Sequence, residues 1–120
     1  MRLCVCFDMP LHVIEPCGFP FSEKAVRKAA MDYAASADLI SHANWAEFEA
    51  QRPPGRLILL TTSSETPHWE VDYRETDYLV LGRESAGAPA FIHEAADERV
   101  RIAMPGGGRS LNVAMAAGIV

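Results

Sequence analysis

Two polar loops, Gly82–Gly87 and Pro105–Ser110, each follow a short apolar stretch that we predict to be a strand. In a parallel sheet, ligands collect where the strands end, so both loops are candidate binding segments. The second loop contains three consecutive glycines, which let the backbone approach a ligand closely. Ser110 stands where a helix N-cap belongs, with free backbone N–H groups just beyond it. Glu84 is either a ligand contact or only an acceptor for N–H groups of its own loop.

The common nucleotide-binding and hydrolase motifs do not fit these loops. A Walker loop would need glycine at Ala103 and lysine at Arg109. A dinucleotide-binding GxGxxG motif would need glycine at Leu111. Neither Ser85 nor Ser110 has the pattern of a nucleophile elbow, so a hydrolase triad is not indicated either.

The cysteines do not form a recognisable metal motif. Cys4, Cys6 and Cys17 lie in apolar surroundings, which is typical of reduced, buried cysteine. Together with His12 they include the residue types of a zinc site. However, Cys-x-Cys followed by one distant cysteine is not a structural-zinc spacing, so we predict that no metal is bound.

Length and charge limit the classes of function. At 120 residues the chain forms one domain at most, and its net charge of -5 excludes a generic polyanion binder. A nucleic-acid partner would need a local basic patch. Lys24, Arg27 and Lys28 form one face of a predicted helix, which is either a solvated face or one that contacts phosphates.

Nothing in the sequence predicts a membrane segment or a secretory signal. No apolar run is long enough to span a bilayer, and the apolar stretch Met1–Phe7 is too short for a signal core. We therefore expect a cytoplasmic protein with no membrane partner.

Continuous apolar strands that alternate with helices predict an α/β fold with a mostly parallel sheet flanked by helices. The polar loops Thr61–Ser64, Gly82–Gly87 and Pro105–Ser110 should then share one edge of that sheet. We expect residues 2–7 to be the last turns of a helix, and residues 110–120 to be an apolar helix that must be buried or paired. The other predicted strands and helices are strands over 11–15, 38–41, 57–60, 78–81 and 100–104, and helices over 25–34 with Ser22 as N-cap, from the capping box Asn44–Glu47, and over 90–96.

Several motifs of one enzyme family follow one another in order along the whole chain. They are Arg2–Cys4, the stretches 11–19 and 31–33, the stretch 77–89, and Arg101–Met104 with Arg109–Asn112. With these motifs the chain resembles the SpoU branch of the SPOUT-class RNA 2′-O-methyltransferases. It is most similar to the small, single-domain enzymes that methylate cytidine or uridine at the tRNA wobble position.

The resemblance implies a trefoil-knotted α/β fold, a homodimer, and S-adenosyl-L-methionine bound inside the knot. The backbone would hold this cofactor at the ends of the strands predicted over 57–60 and 100–104 and in the two polar loops Gly82–Gly87 and Pro105–Ser110. The cofactor-binding positions implied in this way are Leu60, Gly82, Gly87, Ile102, Met104, Ser110 and Leu111.

The reaction implied is methyl transfer to a ribose 2′-hydroxyl of tRNA. Arg2 matches the family arginine assigned to activating that hydroxyl. Because arginine hardly deprotonates, we interpret its role as a donor that stabilises the developing alkoxide. Glu84, Ser110 and Asn112 match the other polar motif positions and would orient Arg2, substrate and cofactor. The candidates for contact with tRNA are Lys24, Arg27, Lys28 and Tyr33.

The chain departs from the family pattern in ways that keep two alternatives open. We expect residues 1–120 to be a single methyltransferase domain that lacks the family's first strand and the end of its last helix, with Ala103 at a usual proline position. One alternative is therefore a truncated remnant that dimerises or binds RNA without catalysis. The other is an unrelated α/β domain that binds a small molecule.

Overall fold

The computed structural model describes residues 2–15, 38–82, 87–106 and 113–120. The chain divides into two compact units, Met1–Arg52 and Pro53–Val120. The elements of the amino-terminal unit are α1 (Arg2–Cys6), β1 (Leu11–Ile14), β2 (Leu39–His42) and α2 (Trp45–Gln51). β1 and β2 pair in parallel, with Leu11 opposite Leu39. The predicted end of a helix and both predicted strands are confirmed, whereas the helix predicted after Ser22 lies outside the described residues.

The predicted capping box begins α2. The Asn44 side-chain oxygen accepts a hydrogen bond of 2.8 Å from the Glu47 backbone N–H, and the Glu47 carboxylate accepts one of 2.7 Å from the backbone N–H of Ala43. These two bonds satisfy N–H groups that a helix start otherwise leaves unpaired. Phe48, one turn into the helix, is 2% exposed and anchors α2 on the sheet of its unit.

Two histidines join β1 to β2 inside the amino-terminal unit. His12 Nδ1 and His42 Nε2 lie 2.9 Å apart, and the ring planes differ by only 9° with centroids 5.2 Å apart. The rings therefore meet edge to edge through a hydrogen bond rather than stacking face to face. Phe48 packs against both rings at steep angles, and His42 is 2% exposed. One nitrogen must donate and the other accept, so the bond requires at least one neutral ring.

The carboxyl-terminal unit is built around a three-stranded parallel sheet in the order β4-β3-β5. Its elements are β3 (Leu57–Leu60), a 3-10 turn (His68–Glu70), β4 (Tyr78–Leu81), α3 (Ala90–Ala95), β5 (Glu98–Val100) and α4 (Val113–Ile119). Leu57, Ile58, Leu59 and Val100 are buried and form its core. α3 packs against β3, and α4 packs against β4. The predicted parallel α/β architecture is confirmed, as are both apolar strands.

The predicted last strand over 100–104 is wrong. β5 is Glu98–Val100, where Glu98 lies opposite Ile58 and Val100 opposite Leu60. The chain leaves β3 at Arg101 and forms an isolated parallel bridge with Pro67 instead. β5 is one of the two outer strands of this described sheet. Its Glu98 and Arg99 are exposed, so it lacks the apolar run that marks a buried strand.

The amino ends of the strands are joined by polar side chains. The Arg56 guanidinium donates two hydrogen bonds to the Asp77 carboxylate, of 2.9 Å and 2.6 Å, and a third to the Asp72 carbonyl. The Asp77 side chain is only 6% exposed. On the side of β5, the carboxylate of Asp97, which directly precedes that strand, accepts a hydrogen bond of 2.7 Å from the N–H of Leu57 in β3. These contacts fix the sheet at the edge opposite to the candidate loops.

The last helix, α4, is partly buried. Ala116 is 9% exposed, whereas Met115 and Ile119 are 62% and 45% exposed. The expectation that this apolar helix is buried or paired is therefore confirmed only for the face that carries Ala116, since Met115 and Ile119 stay exposed in this chain. Among the described residues, no helix has the length and apolar composition needed to cross a bilayer.

The buried ion pair predicts a specific sensitivity to acid. Hydrogen bonds from Arg56 are the main cause that lowers the pKa of Asp77 below 3.8. Its stabilising effect is therefore present above that value and is lost as the pH falls through the lower folded-state pKa. We expect Asp77→Asn to lower the midpoint of thermal unfolding by a few degrees at pH 7, with a difference from the unmodified protein that shrinks below pH ~4. Glu49→Gln, which removes the pair between Arg52 and a carboxylate that is 38% exposed rather than 6%, is the control and should leave the midpoint nearly unchanged.

The histidine pair predicts a second pH dependence, at higher pH. Burial, and then the neighbouring His42, lower the pKa of His12 below the usual 6.5, although Asp38 partly opposes them. The unfolded chain takes up the proton first, so stability is complete above pH ~6.5 and decreases as the pH falls through the folded-state pKa. In His12→Gln, urea unfolding between pH 7.5 and 5.5 should show a smaller loss of stability on acidification. An equal loss in both proteins would contradict the role of this pair.

Candidate functional site

Three chain segments leave the parallel sheet at the same edge. β3 ends at Leu60, which lies opposite Leu81 of β4 on one side and Val100 of β5 on the other. Gly82 follows β4 directly, and Arg101 follows β5 directly. The prediction that polar loops gather at one edge of a parallel sheet is confirmed for Thr61–Ser64 and for the described ends of Gly82–Gly87. Pro105–Ser110 does not follow a strand directly as predicted, because β5 ends at Val100.

The segment after β4 needs glycine at two positions. A Cβ atom at Gly82 would lie 2.4 Å from both the Gly87 carbonyl carbon and the Ala88 nitrogen, so the returning backbone packs directly on this residue. Gly87 has a φ of +67°, a conformation that residues with side chains rarely adopt. The Gly87–Ala88 backbone therefore packs tightly against the end of β4.

The loop after β3 is held to β5 by one backbone N–H and one hydroxyl group. The Thr61 N–H donates a bond of 2.8 Å to the Val100 carbonyl. The Ser64 hydroxyl donates one of 2.6 Å to the Arg99 carbonyl and accepts one of 3.1 Å from the Thr66 N–H. The polar character of Thr61–Ser64, noted from the sequence, thus has a structural role in fixing the loop.

The same loop then pairs with the backbone just beyond β5. The Arg101 N–H donates to the Thr66 carbonyl and the His68 N–H donates to the Arg101 carbonyl, both at 2.9 Å. Pro67 lies between these bonds as the partner of Arg101 in the isolated bridge. This arrangement fixes the backbone that leads into Ile102, the next residue. Nothing in the local sequence pattern indicated the pairing, because its partners lie more than thirty residues apart.

Aromatic residues that the sequence did not single out lie next to this bridge. Trp69 is 63% exposed, and its indole meets the His68 ring at 77° with centroids 5.2 Å apart. The Tyr73 hydroxyl donates a bond of 2.6 Å to the His68 carbonyl, and burial is the main cause that raises the pKa of Tyr73. Among the described residues, His68 Nδ1 is buried without a hydrogen-bond partner.

The predicted cofactor-binding residues fall into two groups. Leu60 and Gly82 lie at the shared edge, Ile102 and Met104 follow β5, and all four are half-buried. Gly87 is exposed and packs on Gly82. Ser110 and Leu111 lie outside the described residues. The described group combines half-buried apolar side chains with closely packed backbone after β4.

The predicted catalytic and RNA-contact residues are mostly outside the described part of the chain. Arg2 begins α1 in the amino-terminal unit, and only its backbone is described. The residues outside the description are Glu84, Ser110 and Asn112 of the catalytic set, and Lys24, Arg27, Lys28 and Tyr33 of the RNA-contact set. The described ranges contain no group of three or more residues arranged to hold a metal ion, and Cys17 lies outside them.

Comparisons with known proteins agree with this arrangement along the full chain. The tRNA (cytidine(34)-2′-O)-methyltransferase of Ancylobacter novellus is 43% identical over 121 residues, which cover 99% of this chain and 77% of that protein. A solved structure described as giving insight into the 2-OH methylation of C/U34 on tRNA matches with a TM-score of 0.89 and 35% identity, over 98% of this chain and 78% of that one. An AdoMet-bound rRNA methyltransferase from Sinorhizobium meliloti has the same fold at a TM-score of 0.82 and 24% identity, over 98% of this chain and 46% of that one.

A family model covers the same span. The model of the SpoU rRNA methylase family matches residues 1–120, so the motifs quoted from the sequence, the parallel sheet and the shared strand edge all fall within one family match. The chain belongs to the SpoU rRNA methylase family.

Proposed function

We propose that this chain transfers a methyl group from S-adenosyl-L-methionine to a ribose 2′-hydroxyl of tRNA, at the wobble nucleotide of the anticodon. The observation that carries the proposal is its 43% identity, along 99% of its length, to a tRNA (cytidine(34)-2′-O)-methyltransferase. The parallel sheet supports it, because three strand ends meet at one edge and offer a binding site there. In this proposal both units belong to one methyltransferase domain, which is knotted and works as a homodimer.

The described edge residues fit the cofactor. Leu60, Ile102 and Met104 supply half-buried apolar surface for the adenine and the methylene groups of the methionine chain, and the backbone that packs on Gly82 can approach polar groups. When bound, S-adenosyl-L-methionine supplies a methyl group activated by its sulfonium. Gly87, Ser110 and Leu111 complete the proposed set of contacts.

The remaining polar residues act on the attacking oxygen. The 2′-hydroxyl passes its proton to solvent water, so negative charge develops on the oxygen as it attacks the methyl carbon. The oxygen–carbon bond forms while the carbon–sulfur bond breaks, and the sulfur keeps the electron pair of the broken bond. Arg2 stabilises that charge as a permanently protonated hydrogen-bond donor. Glu84, Ser110 and Asn112 orient Arg2, the ribose and the cofactor. The tRNA backbone is held by a separate set, which comprises Lys24, Arg27, Lys28 and Tyr33.

Methylation of tRNA is the direct test. Purified protein with tritium-labelled S-adenosyl-L-methionine should label unmodified tRNA, and nuclease mapping should place the label at the wobble ribose. Arg2→Ala should lower kcat by about 10²-fold or more, because it removes one donor to a developing oxyanion. Arg74→Ala, which removes an exposed arginine that follows the 3-10 turn, is the control and should retain activity. Folded protein that binds the cofactor but labels no tRNA would overturn the proposal.

The turn at Gly82 gives a test of the cofactor site alone. Gly82→Ala forces the Gly87–Ala88 backbone to move, because the new Cβ would lie 2.4 Å from it. We expect S-adenosyl-L-methionine binding, measured by calorimetry, to weaken about tenfold or more. Glu94→Ala, at an exposed position of α3, is the control and should change affinity less than about twofold. Equal affinities in the two variants would place the cofactor elsewhere.

A further inference from the structure

Trp69 exposes a large aromatic surface at the edge where the candidate cofactor residues lie. Its side chain is 63% exposed, although tryptophan is among the residues most often buried on average. The other large exposed apolar residues described in the carboxyl-terminal unit, apart from Tyr73, are Phe91 on α3 and Met115 and Ile119 on α4. Trp69 instead belongs to the 3-10 turn that follows the β3 loop.

The turn that carries Trp69 is held from two sides. On one side, His68 donates its N–H to the Arg101 carbonyl, next to the Pro67–Arg101 bridge. On the other side, the Tyr73 hydroxyl donates to the His68 carbonyl at 2.6 Å. The His68 ring packs across the indole. The exposed indole is therefore presented by a fixed backbone, so little conformational entropy is lost when a partner covers it.

The neighbours of Trp69 favour an unpaired base as that partner. Sequence-specific RNA recognition relies on unstacked bases that stack on aromatic rings and on arginine side chains. Tyr73 is 38% exposed and Arg101 is exposed, so both types of group lie on this turn and its bridge. Glu70 and Asp72 are also exposed and would repel a phosphate. The contact that this surface fits is therefore with the face of a base rather than with the sugar-phosphate backbone.

We propose that Trp69 is a stacking platform for an unpaired base of the tRNA substrate, supported by Tyr73 and Arg101. The inference rests on the proposed function, because the backbone bridge at Arg101 holds both the Trp69 turn and Ile102 of the proposed cofactor site. The stacked base lies close to the nucleotide that is methylated, in the single-stranded anticodon loop. Trp69 thus positions the RNA and takes no part in the transfer of the methyl group.

Steady-state kinetics separate this role from a structural one. Trp69→Ala should raise KM for tRNA about tenfold, the loss expected for one base–aromatic stack, while kcat and the affinity for S-adenosyl-L-methionine stay within about twofold. Trp69→Phe keeps an aromatic face and should recover most of the loss. Phe91→Ala removes another exposed aromatic ring, 51% exposed on α3, and should leave KM unchanged. An unchanged KM in Trp69→Ala would overturn the proposal.

Fluorescence tests the contact independently of catalysis. The chain has two tryptophans, so Trp45→Phe leaves Trp69 as the only indole. An unmodified anticodon stem-loop should quench its fluorescence, whereas a fully paired RNA hairpin of equal length should quench it far less. Quenching without methylation would support the platform and reject the proposed reaction. Methylation without quenching would reject the platform alone. Dissociation of an oligomer in Trp69→Ala would also reject it, because the indole would then belong to a contact between copies of the chain.

Discussion

The pairing of one buried strand with two parallel neighbours is the constraint on which the carboxyl-terminal unit depends. Ile58 and Leu59 in β3 are 1% and 0% exposed, and β3 is hydrogen-bonded on both sides. A strand buried in this way cannot shift its register without exposing apolar surface and unpairing backbone groups. Because all three strands are parallel, the chain leaves the sheet repeatedly at one edge. The candidate site is a consequence of this geometry rather than of any single loop.

The two edges of this sheet have different roles. At the amino ends, charged side chains fix the strands, through Arg56 with Asp77 and through the bond from Leu57 to Asp97. At the carboxyl ends, the contacts are made by backbone and small hydroxyl groups, as in the bond from Ser64 to the Arg99 carbonyl. The amino edge thus stabilises the sheet, while the carboxyl edge can accommodate a demanding turn such as the one at Gly82.

A single backbone bridge connects the two halves of the proposed substrate and cofactor surface. Arg101 exchanges hydrogen bonds with Thr66 and His68, so the residue that leads into Ile102 also supports the turn that presents Trp69. Cofactor and RNA contacts would then share one support. In the amino-terminal unit a polar contact likewise joins two strands, since His12 of β1 and the buried His42 of β2 are hydrogen-bonded.

The sequence by itself determined the parts of this protein that depend on local patterns. The apolar runs gave the bounds of β3 and β4, Asn44 and Glu47 gave the start of α2, and the ordered motifs gave the family. Local patterns suffice there because a buried strand needs continuous apolar side chains and a helix start needs its cap within one turn.

The tertiary structure decided the features that depend on residues far apart in the chain. The bounds of β5 followed from its pairing with β3 as a polar outer strand of the sheet, and its composition did not reveal this pairing. The bond between His12 and His42 and the bridge between Pro67 and Arg101 each join residues at least thirty positions apart. Sheet order and register decide which side chains meet across such distances. No local pattern tells whether a polar residue such as His42 is buried or an apolar one such as Trp69 is exposed.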